Sequence, residues 1–290
     1  MKENALTIKG LTKKYNDFVL DDVSFNVPRG AIVGLIGENG AGKSTTINAA
    51  LGLIKKDAGV ISILGKQNDE IDSSIHNRMG VVFDGNNFHD GLSPKKLNKI
   101  FKNIYSEWDE AEYFTLLEKL SLPVDKKVKE FSKGMKMKLS IAVALSHHSE
   151  LLILDEATSG LDPIIRDELL DMFLDFVQDE NRSILVSSHI TSDLEKVADY
   201  IVFIHNGKVV FNKTKDELMY KYGIMKCRTA QFETIDKQDI IVYLKKDYEW
   251  DILVADRDLA QKKYPKVIID PANIDDIMLL YVKGETICED

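Results

Sequence analysis

One short stretch limits the folds open to this chain more than any other. In LIGENGAGKSTTINAALG, Leu35 to Gly52, three glycines and a lysine stand between an apolar run and a helix-like tail. Gly37 to Ser44 fit the spacing G-x-x-x-x-G-K-[ST], which carries meaning when it leaves a strand and opens a helix. Both flanks comply. AIVGLI before it is apolar throughout, the pattern of a strand buried on both faces, and STTINAALGLI after it reads as a helix. Gly37, Gly40 and Gly42 let the backbone turn where a Cβ would clash. Successive amides, from Asn39 and Gly40 through Ala41 and Gly42, then face inward as a nest for phosphate oxygens. The positive end of the following helix dipole points the same way. Lys43 adds a mobile cation for β- and γ-phosphates, Ser44 a hydroxyl for Mg2+, and Thr45 a donor to an α-phosphate oxygen. The expected ligands are therefore ATP and Mg2+. A chance glycine-rich turn would have to fall between strand and helix by accident.

A triphosphate and its metal need carboxylates from a second element, and LLILDEATSGLD supplies them. Leu151 to Leu154 form a buried strand, so Asp155 and Glu156 emerge at its C-terminal end, where open α/β sheets bind ligands. Asp155 is placed to stabilise the Mg2+ shell through water. Glu156, on the other face of the strand, is placed to polarise a water for in-line attack on the γ-phosphate. Two adjacent carboxylates alone would be read as a solvated strand end; beside a phosphate loop the catalytic reading outweighs it.

The rest of the chain frames these motifs. LTIKGL and VLDDVSFNV read as antiparallel strands of a half-exposed sheet. The stretch from about residue 85 to 149 is mostly helical, with SPKKLNKIFKNIYSEW and DEAEYFTLLEKLSL carrying apolar residues at helical spacing. LLILD and SILVSSH are further buried-type strands with the helix DPIIRDELLDMFLDFVQDE between them, the βαβ alternation of a parallel sheet covered by helices. YIVFIHNGKVVFN is a hairpin about Asn206-Gly207. From about Thr214 the pattern changes: KDELMYKYG reads as a short helix ending on Gly223, DIIVYLKKDYEWDILVAD as strand, and PANIDDIMLLYVKGE as a final helix. The expected organisation is an α/β nucleotide-binding domain over residues 1–214 and a small α+β extension over 215–290.

Composition narrows the partners. A net charge of -9 disfavours a surface built to grip nucleic acid. Two distant cysteines, Cys227 and Cys288, fit a reducing cytosol, and they leave no zinc cluster built on cysteine. The opening MKENALTIKG lacks an apolar signal stretch, and nowhere do about 18 apolar residues run together, so work at a membrane would go through a partner. His147-His148 ends a helix with no third ligand in sight and reads as a capping or surface pair. The KKLNKIFKN cluster reads as a solvated helix face.

Over residues 3 to 214 the chain resembles the nucleotide-binding subunit of the ABC transporter family. FSKGM, Phe131 to Met135, resembles the family's signature, which closes over ATP held by a second subunit; that places Ser132 and Gly134 at the other copy's γ-phosphate. Local physics agrees, since Ser132 is a good N-cap and KGMKMKLSIAVALS reads as a helix whose positive end would face an anion. Lys133 and Met135 depart from the commoner Gly and Gln. His189 in VSSHI resembles the switch histidine on the γ-phosphate, Asp162 in SGLDP the loop linking the two active sites, and Tyr15 in KKYNDF the aromatic platform for adenine, although a surface tyrosine would also suit it. The resemblance implies a P-loop NTPase with a mostly parallel core sheet, an N-terminal antiparallel subdomain and an inserted helical subdomain.

One departure bears on chemistry. The family usually ends a strand such as MGVVFD with Gln, which reaches Mg2+ and the attacking water; this chain has Asp84. A carboxylate still accepts from metal-bound water but cannot donate as an amide does, and its charge opposes a γ-phosphate unless the metal is bound. The expectation is a stronger Mg2+ dependence, with Asn86 or Asn87 as candidate substitutes. The single cassette with its C-terminal extension resembles bacterial ABC-2-type exporters, and VVFDGNNFHDGLSP with the tail is similar to ATPase subunits of peptide exporters, those for amphipathic cytolytic peptides of the phenol-soluble modulin type foremost. Antibiotic or lipid export is the alternative. The resemblance further implies a homodimer or a heterodimer with a paralogue, separate membrane permease subunits, and a place at the cytoplasmic face of the membrane. Soluble relatives that act on ribosomes or chromosomes carry tandem cassettes or a long coiled coil, whereas only about 90 residues separate loop and signature here. Glu156 and His189 argue against a non-catalytic regulator.

Overall fold

The computed structural model, which describes residues 3–70, 72–85 and 87–286, divides the chain into two units, Met1–Asn212 and Lys213–Asp290. The first runs β1 (Asn4–Lys14), β2 (Val19–Pro28), β3 (Ile32–Ile36), α1 (Lys43–Ala50), β4 (Ala58–Ile63), β5 (Lys66–Gln67), α2 (Ser73–His76) and β6 (Met79–Val82). It continues through α3 (Pro94–Phe101), α4 (Glu110–Lys119), α5 (Lys133–Leu145), β7 (Leu151–Asp155), α6 (Pro163–Phe176), β8 (Ser183–Ser188), α7 (Thr191–Val197), β9 (Tyr200–His205) and β10 (Lys208–Thr214).

Alternating burial along β1 and β2 makes a sheet with one covered face, and the order β2-β1-β4-β5 is antiparallel throughout. The core sheet has the order β10-β9-β3-β8-β7-β6. Its central strands are continuous apolar runs: every residue of β3 is buried, as are Leu151 to Leu154 of β7. β3 pairs in parallel with β8 and β9, and β7 in parallel with β8 and β6. The registers Ile36↔Ser188 and Asp155↔Ser187 bring three C-terminal strand ends to one edge. The phosphate loop, Asp155-Glu156 and His189 all leave from that edge.

Some elements are shorter than their sequence patterns. α1 stops at Ala50, and Gly52 turns with φ 71°, so LGLI leaves the helix. α3 ends at Phe101 instead of running to Trp108. The Asn103 side-chain Nδ2 donates to Lys99 O at 2.7 Å, and Trp108 folds back to stack on Phe101 and donate its indole N–H to Asn98 Oδ1 at 2.8 Å. Aromatic packing outweighs helical propensity there. The same cluster corrects the reading of His147 as a capping or surface residue. Its ring is 1% exposed, lies 4.0 Å from the Tyr105 ring, and its Nδ1 meets Asn77 O at 2.9 Å. His148 alone stays exposed.

The second unit contains β11 (Gly223–Cys227), α8 (Thr229–Phe232), β12 (Val242–Lys245), β13 (Trp250–Val254), α9 (Arg257–Lys263), β14 (Ile268–Pro271) and α10 (Ile274–Lys283). KDELMYKYG, read as a short α-helix, forms a π-helical turn over Glu217–Lys221, and Gly223 opens β11 instead of ending a helix. The order β12-β13-β11-β14, antiparallel at each pairing, with the chain order βαββαβ is a split βαβ sandwich of ferredoxin-like type. Met225, Ile252, Val254 and Ile269 form its core beside α9, and α10 packs on β12 and β13. Cys227 is buried and free, its thiol pushed up to about 11 by burial; Cys288 lies outside the described residues.

Candidate active site

β3 delivers Ile36 to the edge of the core sheet, and the loop that follows is shaped by contacts its glycines permit. Gly42 has φ 116°, and a Cβ there would lie 2.7 Å from Leu20 Cδ1. Gly37 has no left-handed φ; it is glycine because a Cβ would stand 2.4 Å from Ile204 O. Gly42 is also the N-cap of α1, and among the described residues no side chain caps that end. The first-turn amides of α1 are thus left for an anion. Lys43 is 5% exposed, and its Nζ donates to Gly37 O at 2.8 Å and Glu38 O at 3.3 Å. The same Nζ lies 3.3 Å from Glu156 Oε1.

A cavity of about 590 Å3 opens over this loop. One wall is Tyr15, Phe18 and the loop residues Glu38, Asn39, Gly40 and Gly42 to Thr45; the other is Asp84, Glu156, Ser159 and His189. Tyr15 is 46% exposed, yet it lines the cavity, with Lys13 Nζ 5.5 Å from its ring centroid. Glu156 stands with φ 54°, a left-handed conformation that a non-glycine residue adopts at a cost of about 1–3 kcal/mol. Its carboxylate is gripped from two sides, by Lys43 at Oε1 and by His189 Nδ1 at 2.6 Å from Oε2.

Ser187, which the sequence reading passed over, organises the second wall. Its buried hydroxyl donates to Asp155 Oδ1 at 2.5 Å and accepts from the Glu156 amide at 3.0 Å, while Ser187 O accepts from the same amide at 3.2 Å. The available signal was a small polar residue at the end of an otherwise apolar strand, SILVSS. Asp155 itself does not line the cavity; its Oδ1 accepts from Ser187. Ala41 is buried behind the loop, where its carbonyl accepts from Gly207 N at 3.0 Å.

Ser132, Gly134 and Asp162 lie outside the cavity. Ser132 caps α5, accepting from Met135 N at 3.2 Å, and Asp162 caps α6, accepting from Ile165 N at 3.1 Å. Gly134 is buried, and a Cβ there would meet Ile165 Cδ1 at 2.6 Å. Asp84 Oδ1 is 2.9 Å from Lys133 Nζ. Asn87 does not replace the missing amide, because its side chain donates to Phe83 O and Ser140 Oγ, each at 3.0 Å; Asn86 lies outside the described residues.

The donors available to a metal, Ser44, Asp84 and Asp155, are hard oxygens suited to Mg2+. Among the described residues no three His, Cys, Asp or Glu side chains converge as a self-sufficient metal cage.

The sequence profile of the ABC transporter family matches residues 20–159. The lantibiotic transport ATP-binding protein SrtF of Streptococcus pyogenes is 38% identical over 214 residues, 73% of this chain and 91% of its own length. The bacitracin transport ATP-binding protein BcrA of Bacillus licheniformis is 34% identical over 242 residues, 82% of this chain and 78% of its own. A solved ATP-binding subunit of an ABC transporter is 32% identical with a TM-score of 0.65, over 74% of this chain and 91% of its own. With the phosphate loop, its carboxylate strand and these relatives in agreement, the chain belongs to the ABC transporter family as an ATP-binding subunit, of the kind that hydrolyses ATP.

Proposed function

We propose that this chain powers export through separate membrane subunits, hydrolysing ATP in a closed dimer, and that its cargo is a peptide of amphipathic, cytolytic type. The observation that carries the catalytic part is the placement of Glu156, held between Lys43 and His189 at the wall of a cavity floored by uncapped helix amides. Those amides and Lys43 bind and orient the triphosphate. Glu156 accepts a hydrogen bond from the attacking water and draws its proton as attack proceeds. His189 keeps that carboxylate turned into the cavity. Ser44, Asp155 and Asp84 would hold Mg2+, which would neutralise phosphate charge when bound with the nucleotide. Tyr15 offers an aromatic face to the base.

Closure places the Ser132 edge of α5 and the Asp162 loop of one copy against the triphosphate of the other; two intact sites suit a homodimer, and a paralogue is the alternative partner. Among the described residues no helix is long and apolar enough to cross a membrane, which suits attachment at the cytoplasmic face through a permease. Relatives named for lantibiotic and bacitracin transport support a peptide cargo. The ferredoxin-like unit is an accessory to the cassette.

Purified wild type and Glu156→Gln test the catalytic reading together. Wild type is expected to hydrolyse ATP, and the variant to lose about 100-fold or more in turnover while binding ATP and accumulating as a dimer. A variant that hydrolyses at the wild-type rate would remove Glu156 from the reaction. Expression with its neighbouring membrane proteins should raise tolerance of cells to an amphipathic cytolytic peptide, and unchanged tolerance would reject the cargo.

A further inference from the structure

Two of the positions at which this chain departs from the expected pattern touch each other. Asp84 follows β6, Lys133 is the first residue of α5, and their charged atoms are 2.9 Å apart. Each charge is badly placed alone. A carboxylate lining a cavity for a triphosphate repels its ligand. A cation in the first turn of a helix faces the positive end of the dipole. Together they are neutral. The other lysines of α5 nearby turn elsewhere, Lys136 toward Asp90 and Lys138 toward Glu168. Gly160 leaves the approach open: it has φ 66°, and a Cβ there would stand 3.2 Å from Lys133 Nζ. Its neighbour Ser159 lines the cavity, so the ammonium group sits at the cavity rim.

We propose that Asp84 and Lys133 act as one neutral unit at the rim of the nucleotide cavity, with Lys133 the positioning residue that neutralises Asp84 and lets a carboxylate stand beside a bound triphosphate. The proposal rests on the nucleotide reading of the site. It also replaces the expectation of an unusual Mg2+ dependence: with Lys133 in place, the charge of Asp84 is already met within the same chain.

The test is a double-mutant cycle read by binding of a fluorescent ATP analogue to the full chain, with EDTA and with Mg2+. Lys133→Met should weaken binding about three- to tenfold at low salt, more in EDTA than with Mg2+, and the loss should shrink in about 0.5 M salt. In the Asp84→Asn background the same change should alter binding less than about twofold, because the unpaired lysine is then a solvated surface cation. Lys133→Arg should stay within about twofold of wild type. Melting curves confirm that each variant folds, and Lys133→Gln replaces any Lys133→Met protein that does not. An equal loss in both backgrounds, or no loss from Lys133→Met, overturns the pairing while leaving the nucleotide site intact. Wild type that binds no nucleotide overturns the site reading and the pairing with it.

Discussion

Ser187→Ala isolates a single hydroxyl that Asp155 and Glu156 share. In the native chain that hydroxyl donates to Asp155 Oδ1 at 2.5 Å and accepts from the Glu156 amide at 3.0 Å, in a fully buried position. Removing it leaves a carboxylate without its donor, a loss of about 1.5–3 kcal/mol for a bond to a charged group, and weakens an amide bond of about 0.5–1.5 kcal/mol. The amide keeps Ser187 O at 3.2 Å, so the lower part of the second range applies. The sum is about 2–4 kcal/mol, which for a unit of this size lowers Tm by about 4–16 °C. The same bonds hold Glu156 in its left-handed conformation. Without them the carboxylate relaxes from its place, and kcat should fall about 10- to 100-fold. Nucleotide affinity, set by the loop and Lys43, should stay within about threefold. Calorimetry with steady-state ATPase assays reads both effects. A Ser187→Ala protein with kcat within about twofold of wild type and Tm within about 2 °C would refute the positioning role.

Other expectations follow from the same geometry. Tyr15→Ala should weaken ATP binding about three- to tenfold while Tyr15→Trp retains it, as measured by calorimetric titration; equal loss in both would exclude stacking. Gly42→Val forces a branched side chain to φ 116° against Leu20, and should abolish nucleotide binding or soluble expression; a well-folded, ATP-binding variant would contradict the loop geometry. Burial pushes the His147 imidazole below its ordinary value. The unfolded chain therefore takes up that proton first as pH falls, so the contribution of His147 is complete above about pH 6.5 and declines below it, toward the depressed folded value. Tm should drop more steeply from about pH 7.5 to about pH 5.5 in wild type than in His147→Gln, and parallel slopes would show that His147 does not set the dependence.

The phosphate loop and the carboxylate strand were legible because both combine a long apolar run with residues whose chemistry has few other uses. Ser187 was not. A serine at a strand end carries no pattern by itself, and its role depends on a register, Asp155↔Ser187, that local sequence does not encode. His147 was misread for a related reason: its position at a helix end suggested solvent, whereas Tyr105 and Asn77 come from distant turns to cover it. Asp84 and Lys133 were each visible as departures, but their pairing depends on the course of the whole helical segment between them. In the C-terminal unit, β11 and β14 are five- and four-residue strands without strict alternation, and neither α8 nor α9 exceeds two turns. Such elements draw their stability from one another, so little of their order shows in any one of them.

The core strand order carries a consequence for biosynthesis. β3 and β7 share no edge; β8 lies between them and bonds to both. A growing polypeptide that has emerged as far as Glu180 therefore possesses its lysine-bearing loop and both acidic side chains, yet lacks the strand that bonds to both halves of the sheet. Nucleotide capture must wait until the segment Ser183–Ser188 slides into the gap, so a ribosome-arrested chain ending before it should retain no ATP, and one extended past His205 should.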